Sequence, residues 1–214
     1  MRSIVLIIPL LVGVSYSAAV AESHFFEETR ARAEKGDAQA QYDLGQMYYD
    51  GHDVPRDYAE AAKWYRKAAD QGLAVAQYSL GGMYDLGWGV PQDGAEAAKW
   101  YRKAADQGHT AAQYSLGWIY YGDMGVPRDY AEAITWFRKG AEQGYTMAQF
   151  MLGVMYDRGH GVPQDDVTAY MWVSLAAAQH SSDRATLDEI EKRLTPEQIA
   201  EAQRLAREWL AARQ

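Results

Sequence analysis

Residues 76–108 read AQYSLGGMYDLGWGVPQDGAEAAKWYRKAADQG, and closely similar stretches flank them on both sides. One of these occupies residues 40–72, another occupies residues 112–144, and a fourth copy begins at Ala148. Equivalent residues therefore lie 36 positions apart along most of the chain. A fixed period of this length predicts a solenoid, in which each repeat buries its apolar face only against its neighbours.

The first half of each repeat predicts one helix. In the first copy, residues 38–50 contain no proline, and Leu44 and Met47 recur with the spacing of a helical face. Gly51 follows at the point where a left-handed residue would end this helix. In the third copy, residues 122–125 read GDMG where the second and fourth copies have Gly-x-Gly, so we expect that turn to bend differently. The equivalent cap glycines in the second and fourth copies are Gly87 and Gly159.

The second half of each repeat predicts a second helix. Pro55 favours an extended residue before it, and Asp57 can then cap the helix with Glu60 in its first turn. Small residues alternate with aromatic ones up to Gly72, so that a tryptophan can fit over an alanine of the next layer. A glycine also recurs within every first helix at a cost of up to ~1 kcal/mol against alanine, which predicts that the two helices approach closely. These mid-helix glycines are Gly45, Gly81, Gly117 and Gly153.

Three motifs recur between residues 37 and 180, namely A-Q-Y-x-L-G-x-M-Y, G-x-G-V-P-x-D and A-x-x-W-Y-R-K-A-A-x-Q-G. On these motifs the chain resembles the Sel1-like repeat family, a relative of the tetratricopeptide repeats. The resemblance implies an all-α fold, a right-handed α-solenoid of antiparallel helix pairs. It also implies a protein-binding scaffold without a catalytic site, and bacterial members often work in the envelope, in signalling regulation or in host contact.

Residues 1–21 predict a secretory signal peptide. Arg2 supplies a positive charge, residues 4–14 are an apolar run too short for a comfortable membrane span, and residues 19–21 (Ala-Val-Ala) form a small-x-small cleavage site. We therefore expect an exported protein, periplasmic or secreted, that begins near Glu22. The alternative is an uncleaved N-terminal anchor. The chain contains no cysteine, which excludes a lipid-modified N-terminus and disulfide bonds.

The pattern divides the rest of the chain into six segments. Residues 22–36 predict an N-terminal capping helix, equivalent to the second helix of a missing copy. The fourth repeat diverges after Val167, and Thr195 with Gln198 forms the capping-box pattern that begins a final helix. The four repeats are predicted at residues 37–72, 73–108, 109–144 and 145–180, and the C-terminal capping helices at residues 181–214.

Charge and polar residues argue against several classes of function. A formal net charge of −8 suits neither nucleic acid nor an anionic membrane surface. The five histidines lack the spacing of a helix-borne ligand pair, so we expect exposed loop histidines, no metal site and no cofactor. Paired acids such as Asp57 and Glu60 are explained by capping, and no nucleophile motif is visible, so no catalytic residue is predicted. The Arg-Lys pairs are expected on a solvated convex face, with Arg66 paired to Asp70 four residues on.

Four positions of the first helix vary between copies while the positions between them hold. Their offsets of four, seven and eleven residues lie on one helical stripe. Since the first helix lines the concave groove of tetratricopeptide-like superhelices, this stripe is the predicted groove wall, and tryptophan and methionine there suit an adaptable binding surface. The alternative is that the C-terminal cap folds over the fourth copy and buries its part of the stripe. The candidate binding residues are Trp118, Tyr121, Met147, Met151, Val154, Tyr49 and Asp85.

The predicted function is that of an exported scaffold or adaptor, which binds a partner protein or an extended peptide in its concave groove. The alternative is an envelope hydrolase that acts on peptidoglycan or β-lactam-like substrates, because some cysteine-rich relatives of the family have carried such an assignment. This chain lacks their cysteines and any visible nucleophile constellation. The concave groove distinguishes the two hypotheses. A catalytic pocket would bring titratable groups together, whereas a binding groove would be open and lined by a mixture of polar and apolar residues.

Overall fold

The computed structural model describes residues 24–179 and 184–213 of the chain. Within these ranges all regular secondary structure is helical, which confirms the predicted all-α fold. The predicted signal peptide and its cleavage site lie outside the described residues. The helices are α1 (residues 24–34), α2 (Ala38–Asp50), α3 (Tyr58–Asp70), α4 (Ala74–Leu86), α5 (Gly94–Asp106), α6 (Thr110–Gly122), α7 (Tyr130–Glu142), α8 (Thr146–Arg158), α9 (Asp166–Ala177), α10 (Arg184–Glu191) and α11 (Pro196–Ala211).

These helices form consecutive pairs that stack in chain order. Repeats 1 to 4 are the pairs α2–α3, α4–α5, α6–α7 and α8–α9, and the second helix of each repeat packs against the first helix of the next. Helices α10 and α11 both pack on α9, and a capping box between Thr195 and Gln198 begins α11 as predicted. The arrangement confirms a solenoid of helix pairs with a C-terminal helical cap.

Each first helix of the four repeats ends in a left-handed residue. Gly51, Gly87 and Gly159 have φ angles of 76°, 71° and 66°, as their positions in the sequence predict. In repeat 3, Asp123 adopts the same conformation with φ 59° and ψ 44°. The expectation that this turn bends differently is therefore wrong, because an aspartate can enter the left-handed region at modest cost and keep the turn in place.

The second helices begin at the predicted aspartate caps. The side chain of Asp57 accepts hydrogen bonds from the backbone amides of Ala59 and Glu60, which would otherwise be unsatisfied at the helix start. The acidic residue of the first turn has a further partner, since Glu132 accepts a hydrogen bond from the indole of Trp136 at 3.0 Å. The equivalent caps of the later repeats are Asp93, Asp129 and Asp165.

The mid-helix glycines are sites of close helix contact, as predicted. A Cβ atom added at Gly81 would lie 2.7 Å from Cδ1 of Tyr101 on α5, and one added at Gly117 would lie 2.7 Å from Cδ1 of Phe137 on α7. Gly82, the next residue along α4, is different, because its added Cβ would meet only the Tyr101 hydroxyl oxygen at 3.6 Å. A side chain at Gly81 would therefore push the two helices apart, whereas a methyl group at Gly82 would enter open space.

We expect Gly81→Ala and Gly82→Ala to change stability in opposite directions. Gly82→Ala should raise the free energy of unfolding by up to about 1 kcal/mol, because alanine is the better helix former and open space receives its methyl group. Gly81→Ala should lower it by about 1–3 kcal/mol, because the methyl group overpacks the contact with Tyr101. Urea unfolding of the two variants measures both values, and equal signs would contradict the assigned helix contact.

The tryptophans of the second helices join adjacent repeats. Trp100 is 3% exposed and packs among the buried alanines of α3 and α4, including Ala61 and Ala76. It therefore inserts into the preceding repeat, not into the next layer as the sequence suggested. Lys103 of its own helix places Nζ 3.7 Å from the ring centroid, and Arg66 of the preceding repeat places its guanidinium 5.4 Å from it.

The expected solvated face is confirmed for Lys67, Lys103 and Lys139, which are exposed. It is wrong for Arg66 and Arg102, which are half-buried against aromatic rings. Arg66 also lies over the ring of Tyr84 and donates to its hydroxyl, and among the described residues no ion pair joins it to Asp70. The same arrangement recurs one repeat later, where Arg102 donates to the Tyr120 hydroxyl at 2.7 Å. Cation–π contacts of this kind stabilise the position of the arginine, because the face of an aromatic ring carries partial negative charge and attracts the guanidinium.

Buried glutamines form a second link between helices, one that sequence reasoning missed. Gln77 on α4 is 5% exposed and donates to the backbone carbonyl of Ala69 at 3.1 Å. Its own side-chain oxygen accepts from Gln107 at 2.7 Å, so that one residue connects α3, α4 and the end of α5. The pattern repeats with Gln41 and Gln113. A buried amide satisfied on both sides stabilises the packing of all three helices.

Candidate functional site

The variable stripe of the first helices lines two cavities, each formed by two adjacent repeats. Cavity A lies between repeats 1 and 2, cavity B lies between repeats 3 and 4, and each has a volume of about 280 Å³. Cavity A is lined by Gln46, Tyr49, Tyr65, Tyr78, Ser79, Gly82, Met83, Leu86, Trp88 and Tyr101. Cavity B is lined by Trp118, Tyr121, Phe150, Met151, Val154, Asp157, Arg158 and Thr186.

Cavity B brings together four of the seven predicted binding residues. The rings of Trp118 and Tyr121 meet edge to face with their centroids 5.4 Å apart. Arg158 donates from Nη1 to the Tyr121 hydroxyl at 3.3 Å, which fixes one edge of the cavity. Met151 and Val154 complete it from α8. The cavity is therefore formed by stripe residues of two adjacent repeats, since no single helix supplies all four predicted residues.

Burial separates the predicted residues into floor and wall. Met151 is 5% exposed and Val154 is 7% exposed, so both form the floor of cavity B and offer little surface of their own. Trp118 and Tyr121 are half-buried and form the wall. Met147 is 43% exposed and lies outside the lining of the cavity.

The C-terminal cap reaches cavity B without covering it. Thr186 of α10 contributes to the lining, and Arg193 forms ion pairs with Asp157 and Asp166 of repeat 4. The alternative in which the cap buries this part of the stripe fits Met151 and Val154, which are buried, and Met151 shares a core cluster with Ile190 of α10. It is wrong for Met147, which stays exposed.

Cavity A contains only Tyr49 of the predicted residues. The other rings of its lining are those of Tyr65, Tyr78, Tyr101 and Trp88. One sequence signal could have pointed to this cavity, namely that Gly82 is smaller than the residues at the equivalent positions of the other repeats.

The hydroxyls of cavity A lie in a partly desolvated environment. Tyr65 donates to the side-chain oxygen of Gln46 at 2.9 Å, and burial raises the pKa of its hydroxyl. Burial, together with the nearby Asp85 carboxyl, raises the pKa of Tyr101 as well. Asp85 itself is half-buried outside the lining, and burial raises the pKa of its carboxyl. The raised pKa values keep the hydroxyls of Tyr65 and Tyr101 neutral, and the lining of cavity A contains no Asp, Glu, Lys or Arg, so its surface is polar but uncharged.

A small aromatic cluster flanks each cavity at the same place in the repeat. Beside cavity A, Trp88 stacks on Tyr58 with the centroids 5.3 Å apart. Beside cavity B, His160 stacks on Tyr130 at 4.3 Å, with Tyr121 at 5.7 Å. Between the two, repeat 2 has Gly94 where repeats 1 and 3 have Tyr58 and Tyr130, and no such cluster forms among the described residues there. The face therefore alternates with a period of two repeats.

Two histidines correct the expectation that all five are exposed loop residues. His160 is half-buried in the cluster just described. His109 is half-buried too, stacks on Tyr78 at 4.7 Å, and accepts a hydrogen bond at Nδ1 from the backbone amide of Ala112, so that it caps α6. Burial lowers the pKa of His109, which suits an imidazole that must stay neutral to accept that bond.

The chemistry of this face is that of contact surfaces. Within residues 24–179 and 184–213, no group of His, Asp and Glu side chains has the arrangement of a metal site. Among the helices that the structure describes, none combines the length and apolar composition needed to cross a membrane. Cavities A and B offer aromatic rings, hydroxyls and amides, which suit the recognition of side chains.

Comparison with known proteins gives the same picture. The model of the Sel1 repeat matches residues 38–73, 74–109, 110–145 and 146–181. The chain is similar to the crystal structure of c5321, a protective antigen of uropathogenic Escherichia coli with an SLR fold, at 44% identity and a TM-score of 0.71. That match covers 72% of this chain and 33% of c5321, so this chain spans about a third of that protein.

A second solved structure matches over more of its length. A Sel1 repeat protein from Oxalobacter formigenes is 33% identical with a TM-score of 0.73, and the match covers 85% of this chain and 75% of that one. No curated protein matches the chain. The four repeat matches cover the helix pairs that form repeats 1 to 4.

Proposed function

The chain belongs to the Sel1 repeat family, and we propose that it is a scaffold that binds a segment of another protein along the variable stripe of its first helices. Sel1 repeat proteins are generally scaffolds for protein–protein interaction, and the family is typically non-catalytic. What supports a binding role for this stripe in particular is cavity B, where residues that differ between repeats converge from α6 and α8.

The residues of cavity B suit a protein partner. Tryptophan and tyrosine are the side chains that most often anchor protein interfaces, and Trp118 and Tyr121 are the half-buried wall of the cavity. The floor residues Met151 and Val154 offer an apolar base, and methionine adapts its shape to what it contacts. We propose that an apolar side chain of the partner enters here, and that the stripe lies on the concave side of the superhelix.

The test removes the wall of cavity B. Peptides that bind the protein are first selected from a random display library, and their affinities are then measured for the Trp118→Ala/Tyr121→Ala variant. We expect binding to weaken at least tenfold, about 1.4 kcal/mol, because the anchors contribute most of the contact free energy. The melting temperature should change little, since both residues are only half-buried.

The matched control reverses charge on the second helices. Lys63 and Lys99 have 65% and 69% of their side-chain surface exposed, so Lys63→Glu/Lys99→Glu should leave peptide binding intact. If the cavity B variant binds normally while the lysine variant does not, the binding surface lies on the second helices and the proposal fails.

We also propose that the protein is exported, and this part rests on the sequence of residues 1–21 alone. N-terminal sequencing of the protein recovered from its native host should begin at Glu22. A product that retains Met1 in the cytosolic fraction would contradict export.

A further inference from the structure

Five aromatic residues line cavity A. Tyr49 of repeat 1 and Trp88 of repeat 2 have their ring centroids 5.8 Å apart, and Tyr78 and Tyr101, both of repeat 2, have theirs 5.6 Å apart. Trp88 remains 37% exposed at the rim. Among the described residues that line this cavity, none carries a formal charge. A lining rich in aromatic rings and free of formal charge is suited to a cation that sheds its water on entry.

The cavity exists because repeat 2 has a glycine in the stripe. The equivalent positions carry a glutamine, a tryptophan and a valine in the other repeats, whereas Gly82 leaves open space up to the Tyr101 hydroxyl. The volume that Trp118 occupies in repeat 3 is therefore available for a ligand in repeat 2. The lining also offers hydrogen-bond acceptors, namely tyrosine hydroxyls, the Ser79 hydroxyl and the side-chain oxygen of Gln46.

The formal charges around cavity A are mostly negative. Asp43 and Asp50 lie on the same stripe of α2, and their carboxylates accept hydrogen bonds at 2.8 Å from the neutral amides of Gln39 and Gln46. Arg56, a cation of the same repeat, lies over the Tyr58 ring at 5.9 Å from its centroid. Two carboxylates held by neutral partners keep their charge available to attract a basic ligand over a few ångströms.

The chain itself shows which cation suits tyrosine and tryptophan rings of this kind. Arg102 lies 5.7 Å from the centroid of Tyr120 and 5.2 Å from that of Trp136, while its guanidinium donates to the Tyr120 hydroxyl. Arg66 makes the equivalent contacts one repeat earlier. Cavity A presents the same combination of rings and hydroxyls without an arginine of this chain in its lining.

We propose that cavity A binds the side chain of an arginine carried by the partner segment. The planar guanidinium can stack on Tyr49 or Trp88 and donate to several acceptors at once, which a quaternary ammonium cannot do because it has no N–H group. A lysine would present a more strongly hydrated charge and no planar face. The source of the arginine rests on the proposed function, whereas the site can be tested without the partner.

The test compares two ligands of the same shape. N-acetyl-arginine amide and N-acetyl-citrulline amide differ in charge but hardly in size, and binding of each is followed by two-dimensional NMR of the full protein. The indole signal of Trp88 is identified by its absence from Trp88→Ala. We expect arginine to bind at least tenfold more tightly than citrulline and to shift this signal. Lysine amide should bind more weakly than arginine.

Two variants check the location. Gly82→Trp should abolish arginine binding by filling the cavity with the residue that repeat 3 tolerates at this position. Trp88→Ala should weaken arginine binding several-fold. This variant loses only one exposed ring and should fold normally, so it still tests the location if Gly82→Trp folds poorly. Equal affinity for arginine and citrulline, or for arginine and lysine, would overturn the proposal. So would undiminished arginine binding by a folded Gly82→Trp or Trp88→Ala protein.

The outcome is independent of cavity B. The Trp118→Ala/Tyr121→Ala variant should bind arginine amide as the unaltered protein does, because both residues belong to repeat 3 and neither lines cavity A. If this variant captures peptides as well as the unaltered protein does, the proposed anchor is refuted, and arginine binding at cavity A still stands. If the variant loses peptide capture but the unaltered protein does not prefer arginine to citrulline, the anchor stands and this site is refuted.

Discussion

Replacing Trp100 by alanine should lower the free energy of unfolding by about 3–5 kcal/mol, the usual cost of truncating a buried aromatic side chain. The ring is 3% exposed, and it joins α5 to the alanines of the preceding repeat. Its loss also leaves Arg66 and Lys103 without the face on which both cations rest. Since neighbouring repeats stabilise one another only through such interfaces, the loss should spread to the whole solenoid.

Urea unfolding followed by circular dichroism measures this change, and Trp88→Ala is the matched control. Trp88 is 37% exposed and contacts Tyr49 and Tyr58 at the rim of cavity A, so its truncation should cost much less. Similar losses for the two variants would mean that the interface between the repeats does not depend on the second-helix tryptophan.

Gly89→Ala should lower the free energy of unfolding by about 3 kcal/mol or more. The residue has a φ of 71°, and an added Cβ would overlap the backbone carbonyl of Tyr58 in the preceding repeat. The left-handed conformation alone costs a non-glycine residue about 1–2 kcal/mol, and overpacking against backbone adds about 1–3 kcal/mol because backbone cannot turn aside.

Gly72→Ala separates these two contributions. Gly72 has a φ of 92°, but an added Cβ there would have no neighbour within 4 Å. Its substitution should therefore cost only the conformational part, about 1–2 kcal/mol. Thermal melts of both variants give the comparison. A Gly89 variant no less stable than the Gly72 variant would show that the turn can move away from the repeat before it.

The fold could be predicted from the sequence because its causes are local and repeated. Asp57, Gly51 and Gly45 each act through the nearest turn or the partner helix of the same repeat. Their equivalents recur every 36 residues, so four copies support one interpretation. The one failure among the turns, at Asp123, arose because aspartate and glycine can share a left-handed conformation.

The candidate site was harder to predict, because the depth of each cavity depends on how two adjacent repeats pack against each other. A helical stripe tells which residues share a face, but Val154 is buried and Met147 exposed although both lie on α8. Cavity A depends on Gly82, a residue with no side chain to attract notice. The role of Arg66 likewise depends on Tyr84 and on Trp100, which no pattern within one helix can reveal.

Because each repeat packs only against the repeats next to it, the gene can change in length by whole repeats. Residues 59–72 and 95–108 are identical in sequence, so the corresponding stretches of coding sequence invite unequal recombination. Exchange within these stretches would remove one unit and put Tyr58 in the place of Gly94, beneath the loop at Met124, so this loop would have to move to make room for the side chain. Cavity A would vanish with the lost unit, whereas cavity B would remain. Lineages could thus gain or lose whole recognition pockets without rebuilding the core.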